Sequence, residues 1–421
     1  MERIADLHVH SKYAMACSNQ LTLENMDATA KEKGIDIIGT GDFTHPRWIS
    51  EIKNSLKDNG NGMYTLNGAS SGTRFVLSSE VCTIFDDRSG KSRRIHNCIL
   101  APSVEIAEQI NAHLSKFGDL ASDGRPVLNN MTPAGLVDDL FRISEGIFVF
   151  PAHLWAPWFG ALGAFSGFNS IGEVYEDQAK HIYAYETGLS SDPPMNWKVS
   201  SLDRYALISG SDAHSLPKMG REAVMLDMED KDVSYKGLMG KIKNKDIKLT
   251  MEFYPEEGKY HFDGHRNCNM SLTPEETNKY GGMCPKCGKR LTIGVLHRIN
   301  ELADRENGSR PEGAVPYVHA IPLQEVIAYV AKKSQTSAYV KSTYAKLIQR
   351  FGSEMNVLLK SKIDEIGETD KELGRAIRLV REDRANVIPG YDGVFGVIDI
   401  FNEAKENCGK SSQKRITEFQ K

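Results

Sequence analysis

The feature that most constrains this chain is an alternation, across the first half, of short β-rich apolar runs with amphipathic stretches. Strands are expected at 3–8, 35–40, 75–81, 96–101, 147–151, 182–186 and 205–209, with helical spacing at 23–33, 104–116 and 133–143 between them. Strands alternating with helices predict parallel βα units, and so an α/β fold, as a barrel or a wound sheet.

Polar residues sit at the ends of these runs. His8 and His10 end the first, Asp42 follows the second, Glu80 ends the third and His96 opens the fourth. His153 follows the fifth, and Asp212 and His214 follow the last. Carboxyl ends of strands are where βα-barrel enzymes assemble their sites. On extended backbone, residues i and i+2 project from one face, so His8 and His10 can reach a single ion. Asp212 and His214 repeat that spacing. Each motif alone also fits a core or surface histidine, or a turn or helix cap. Mixed imidazole and carboxylate donors suit Zn²⁺, Mn²⁺ or Fe²⁺ better than Mg²⁺ as resident ions, with Mg²⁺ a candidate to support activity. Two such ions about 3.5–4 Å apart acidify a water and clamp attacking and leaving oxygens, which is phosphoester hydrolysis without a covalent intermediate. No phosphate-binding glycine loop or serine-nucleophile elbow competes.

The second half reads differently. Residues 231–260 look like a polar linker, and 261–293 form a compact module with His265-x2-Cys268 and Cys284-x2-Cys287. Two close pairs separated by a loop match a tetrahedral structural zinc site. The seven cysteines are odd in number and no secretory signal opens the chain, so a disulfide framework is not expected. From 295 to 385 the spacing predicts helices at 323–331, 344–351, 355–366 and 373–380, followed by a Gly-rich stretch at 388–401. The expected division is a barrel at 1–230, a linker and zinc module at 231–295, a mainly helical domain at 296–404 and a mobile tail at 405–421.

Charge separates along the chain. Residues 1–230 carry 20 basic and 30 acidic side chains, and the rest carry 32 and 26, which together give the net −4. Bound cations would offset an acidic, His-rich half, and a modestly basic half can meet a polyanion. No apolar run approaches the roughly 20 residues that span a bilayer, so no membrane partner is expected. A cytoplasmic location is the expectation, nucleoid-associated if the polyanion is DNA.

The order HxH, acid, Glu, two separated His and DxH resembles the PHP (polymerase and histidinol phosphatase) superfamily over the first 215 or so residues. The resemblance implies a distorted (β/α)7 barrel with two or three divalent ions. His8, His10, Glu80 and Asp212 would hold one ion, and Glu80, His96 and His153 a second. Asp42 and His214 would belong to a third, with Ala16-Cys17 standing where several members carry another ligand. That third ion would then be poorly coordinated, or Cys17 or His45 would complete its shell. His10, Glu80 and Asp212 would act catalytically through these metals.

Joined to the zinc module and helical domain, the barrel resembles the endonuclease Q family through essentially the whole chain. The resemblance rests on Asp6-Leu7-His8-Val9-His10-Ser11, Gly39-Thr-Gly-Asp42-Phe-Thr-His45-Pro46, Pro151-Ala-His153 and the Cys284-Pro-Lys-Cys-Gly288 knuckle. It implies a DNA-repair endonuclease cutting on the 5′ side of deaminated bases (uracil, hypoxanthine, xanthine) and abasic sites, with damaged DNA as partner. A base-specific nuclease with a concave site needs the nucleotide extruded. Tyr13, Arg93, Arg94, Trp155 and Trp158, beside ligands in sequence, are candidate DNA or lesion contacts. The segment 413–420 partly resembles a sliding-clamp-binding motif. The alternatives are a phosphatase for small phosphomonoesters, a metal-dependent 3′–5′ exonuclease and a binding module with a degenerate barrel.

Overall fold

The computed structural model describes residues 1–69 and 71–402. All seven expected strands form, as Glu2–Asp6, Ile37–Gly39, Arg74–Asp86, Ser92–Ala101, Phe148–Pro151, Ala184–Glu186 and Ala206–Ile208. The helices between them have local causes. Leu23–Lys33 starts at Thr22, whose side chain accepts from the Asn25 N–H, and stops at Gly34 with φ 82°. A left-handed stop costs glycine almost nothing. Pro133–Ile143 opens at Thr132 with proline in the first turn, where a missing N–H leaves no partner unpaired.

These elements make an α/β fold with a mixed sheet. Glu2–Asp6 runs parallel to Ile37–Gly39, which runs parallel to Arg74–Asp86. Arg74–Asp86 is instead antiparallel to Ser92–Ala101, and that strand is antiparallel to Phe148–Pro151. Uniformly parallel βα units are therefore not what forms here. Only residues 87–91 separate the two long strands, enough for a hairpin turn and too few for a crossover helix. Ala184–Glu186 and Ala206–Ile208 pair parallel as a separate ribbon. Beyond the ribbon, Asp212 N–H donates to the His8 carbonyl at 2.8 Å and His10 N–H to the Ala213 carbonyl at 3.2 Å. Those bonds bring the end of the ribbon to the end of the first strand.

The stretch read as a linker is built into the sheet. It holds the helix Tyr235–Lys243 and the buried strand Leu249–Glu252, which pairs antiparallel with Ala223–Asp227. Lys236, Lys241 and Lys243, set around Leu238, Met239 and Ile242, disguise the helix in sequence, although all three apolar residues are buried. Tyr317–His319, inside the stretch read as helical, extends the same sheet beside Leu249–Glu252. Leu323–Ala331, Ala338–Phe351 and Lys371–Arg381 are helical as expected, and share a core with Ile4, Met225 and Met251 of the sheet. Residues 355–366 form one π turn, Asn356–Lys360, and a short helix, Ile363–Gly367. The Gly-rich stretch is a hairpin between Asn386–Ile388 and Val397–Asp399. Among the described residues no helix is long and apolar enough to cross a membrane. The segment 413–420 lies outside them.

Candidate metal centre

The first strand delivers His8 and His10 side by side, with ring centroids 5.5 Å apart. Behind them, the Asp6 carboxylate accepts from Ser211 N–H at 3.0 Å and Gly220 N–H at 2.8 Å, which holds the Asp212–His214 loop against this strand. Asp212 itself has φ 45°, and Asp42 (47°) and His153 (30°) share that left-handed region. Backbone held in a sparsely populated region at three clustered polar residues marks a site whose surroundings over-determine it.

Glu80 is the centre. Its buried carboxylate places Oε1 2.7 Å from His96 Nδ1 and 3.0 Å from His153 Nε2. Oε2 lies 3.3 Å from His10 Nε2 and 3.6 Å from His8 Nε2. Asp212 Oδ1 lies 3.0 Å from His10 Nε2 and 3.7 Å from His8 Nε2. Two groups result, His8–His10–Glu80–Asp212 and Glu80–His96–His153, each with donor atoms within 4.8 Å of one another. Buried His8 Nε2 has no hydrogen-bond partner although it points at two carboxylates. An orphaned imidazole nitrogen among carboxylates fits a cation better than it fits a packed core. Burial, opposed by Glu80, brings the His96 pKa down to about 4 and leaves its ring neutral, as a metal ligand must be. Burial pushes Asp212 the other way, but contact with His10 wins and keeps it well below the usual carboxylate range.

Two supporting carboxylates orient these rings. Glu186 accepts from His8 Nδ1 at 2.9 Å and from the His153 N–H at 2.7 Å. Asp42 accepts from His10 Nδ1 at 2.9 Å and from Ser11 N–H and Oγ at 2.6 and 2.7 Å. A carboxylate behind a ligating histidine fixes its tautomer and raises its basicity. Both Asp42 oxygens are engaged here, Oδ1 by His10 Nδ1 and Oδ2 by Ser11, and Asp42 falls in neither donor group, so its place at a third ion rests on the resemblance alone. His214 stays outside both groups, with its ring 4.8 Å from His10 and Nδ1 donating to the Asp212 carbonyl. Cys17 is half-buried beside them, and burial lifts its thiol pKa to about 12. His45 stacks on Tyr13 at 4.3 Å. Sequence reading missed Glu186, although an acid ending a buried strand is the same signal that marked Glu80. It also missed Arg125, whose guanidinium donates to Glu80 Oε2 at 3.3 Å from a loop with no motif.

The candidate DNA contacts separate. Trp155 is wholly buried, with Nε1 donating to Asn196, so it packs beneath the loop and presents no ring to a ligand. Trp158 is exposed. Tyr13 donates to Glu51, Arg93 pairs with Asp87 and Arg94 is exposed.

The second centre joins His265, Cys268, Cys284 and Cys287, again with donors within 4.8 Å of one another. Asp263–His265 and Met270–Leu272 form its hairpin, and Thr273 with Glu276 makes a capping box on the helix that follows. Burial opposes ionisation of Cys284, yet the N–H groups of Lys286 and Cys287 bring its pKa down to about 6. A thiolate favoured by turn amides is the state that binds zinc.

Residues 322–384 match the family model of the MJ0043 C-terminal domain. Over 414 residues the chain is 30% identical to the uncharacterized protein YqxK of Bacillus subtilis, covering 94% of this chain and 98% of YqxK. The chain belongs to the YqxK family. It is also 29% identical over 249 residues to the uncharacterized protein MJ0043 of Methanocaldococcus jannaschii, of whose length it spans only 31%. Among solved structures, this YqxK-family chain is similar to the lesion-specific endonuclease PfuEndoQ of Pyrococcus furiosus, with TM-score 0.84 and 29% identity, covering 98% of this chain and all of that one. An endonuclease Q complex with a 27-mer duplex bearing an abasic lesion at its active site matches at TM-score 0.83 and 29% identity, over 97% of this chain. The resemblance to endonuclease Q thus runs through the whole structure, as the motifs implied.

Proposed function

We propose that this protein is a DNA-repair endonuclease that hydrolyses the phosphodiester on the 5′ side of deaminated bases and abasic sites with divalent metals. The observation that carries this reading is Glu80 set between two donor groups in a chain that aligns end to end with endonuclease Q. His8, His10, Glu80 and Asp212 would hold one ion, and Glu80, His96 and His153 another. Zn²⁺, Mn²⁺ or Fe²⁺ suits their nitrogens. Such ions supply Lewis acidity, which acidifies water and neutralises charge on a phosphate. His214, beside Asp212, and Asp42, behind His10, would belong to a third ion.

The chain's own residues do the positioning. Glu186 and Asp42 keep the Nε2 atoms of His8 and His10 turned into the site. Arg125 enters from outside the donor set, and its planar fork matches a phosphate as well as a carboxylate. With cations satisfying Glu80, that fork is free to orient the scissile phosphate. The seven strands read as a distorted barrel closed by the His8–Asp212 backbone bond. The module at 261–293 reads as a structural zinc site. Its Lys286, Lys289 and Arg290 suit phosphate contacts.

The test is nicking of a covalently closed duplex circle carrying one deoxyuridine, against an undamaged circle, with Mn²⁺, Zn²⁺ or Mg²⁺ added. Nicking of the damaged circle alone is expected. Equal cutting of both, or release of phosphate only from small phosphomonoesters, overturns the lesion-directed reading.

A further inference from the structure

Next to the metal centre the surface carries aromatic rings that no packing need explains. Phe159 stacks on His96 at 4.5 Å and its carbonyl accepts the His96 N–H. The adjacent Trp158 is 41% exposed and lies stacked against Phe165, itself 45% exposed, at 5.2 Å and 15°. Tyr260, from a different part of the chain, meets Trp158 edge-on at 4.7 Å. Lys259 sets its ammonium 5.6 Å from the Tyr260 ring and 5.7 Å from Phe395, which is 66% exposed. The ridge therefore runs from a ligand of the centre out to the tip of the Gly-rich hairpin.

That tip is held rigidly. Gly390, Gly393 and Gly396 N–H groups donate to the carbonyls of Glu256, Lys259 and Glu257 at 2.8, 2.8 and 2.9 Å. Gly393, at φ 86°, turns the chain in the left-handed region that favours glycine. The Asp392 carboxylate ties the tip to the zinc module through Thr292 Oγ1 and Arg266 N–H, both at 2.7 Å. A fixed backbone that leaves a phenylalanine in water stores a ready-made contact, because no ordering cost falls due on binding.

We propose that Trp158, Phe165, Tyr260, Lys259 and Phe395 form a stacking platform for unpaired nucleobases of DNA, beside the nucleotide held at the metal centre. Bases present π-faces of either strand without sequence preference, and rings with interleaved cations are how single-stranded nucleic acid is gripped. The ammonium of Lys259 suits the phosphate between two stacked bases. Continuity with His96 through Phe159 puts the platform on the same DNA that enters the centre. This inference rests on the DNA reading above and extends it to residues outside the metal groups.

The experiment measures binding, not cutting, so that it stands apart from the lesion-specific reading. The full chain in Ca²⁺ is titrated with a fluorescent single-stranded 20-mer and a duplex with a four-base bubble, and separately with a fully paired duplex. Phe395→Ala is expected to weaken bubble and single-strand binding about tenfold, with Phe395→Trp restoring it and Phe395→Leu not. Trp158→Ala is expected to act in the same direction, and paired-duplex affinity is expected to change less than about threefold. Wild-type affinity for the bubble in Phe395→Ala and Trp158→Ala overturns the platform. So does full rescue by Phe395→Leu, which would mean apolarity without stacking. Self-association that Phe395→Ala abolishes would assign the ridge to a second copy of the chain instead. Failure of damaged-circle nicking, with these binding losses intact, would overturn the lesion reading and leave the platform standing.

Discussion

At the scale of single residues, the centre depends on which atoms face inward and which are held from behind. Asp212, at a left-handed φ and tied to the His8 carbonyl, offers its carboxylate to both histidines of the first strand. Asp212→Asn removes a donor without removing a contact surface. It is expected to lower cleavage by about a thousandfold, the scale of ~4 kcal/mol, while duplex affinity stays within about threefold. Single-turnover cleavage and fluorescence anisotropy check this pair. Arg125 is expected to act on the phosphate and not on the metals. Arg125→Ala should then lower kcat/KM about a hundredfold with metal content unchanged, and Arg125→Lys should recover part of it. Metal analysis beside kinetics separates that outcome from loss of an ion. The residues of the donor groups were legible in the sequence because each opens, closes or follows an apolar run. Arg125 was not, because a basic residue in a polar loop resembles any other. The engagement of Asp42 by His10 Nδ1 and Ser11 was not legible either, since spacing places a residue near a site but not the direction in which its carboxylate points.

Among the elements, the hairpin module at 261–293 contributes little core of its own. Leu272, Leu291 and Cys284 are its buried apolar residues, in a cluster separate from the main ones. A metal bound by His265, Cys268, Cys284 and Cys287 would then supply much of its folding energy. Cys284→Ser is expected to cost one equivalent of zinc and to expose the module to limited proteolysis, with the donor groups around Glu80 still loaded. Zinc stoichiometry and protease mapping report the two effects. The strand reading also failed in an instructive way at this scale. Spacing located the seven strands, but the direction of Ser92–Ala101 followed from the short turn at 87–91, and strand propensity carries no sign for direction. Leu249–Glu252 escaped notice because a four-residue buried strand preceded by a lysine-rich stretch has too short a period to register.

Across the whole molecule, the helices at 322–384 do not form a detached lobe. Lys33, in the first helix, is buried with its ammonium 2.9 Å from Glu354. Glu354 also accepts from the Leu323 N–H at 3.0 Å and the Tyr344 hydroxyl at 2.9 Å. One buried carboxylate thus fastens three elements together. Glu354→Ala leaves a buried ammonium unpaired and is expected to destabilise the protein by about 3–5 kcal/mol, read as a fall in denaturation midpoint. Replacing Lys33 and Glu354 together by Met and Leu is expected to recover most of that loss. Retention of wild-type stability in the single variant would mean that the helices dock through apolar contact alone.

By itself the sequence determined the α/β class, seven strands and three helices of the first half, the members of the two donor constellations and the kinship with endonuclease Q. Those properties are local. Apolar periodicity, capping residues and close His, Asp and Cys spacings are all set within a few positions of one another. Tertiary structure alone decided that Glu186 and Asp42 stand behind the donor groups and that Trp155 is buried while Trp158 is not. It alone brought Trp158, Tyr260 and Phe395 onto one ridge. Each of these depends on residues tens to hundreds of positions apart, and only the packed core fixes the distances between them.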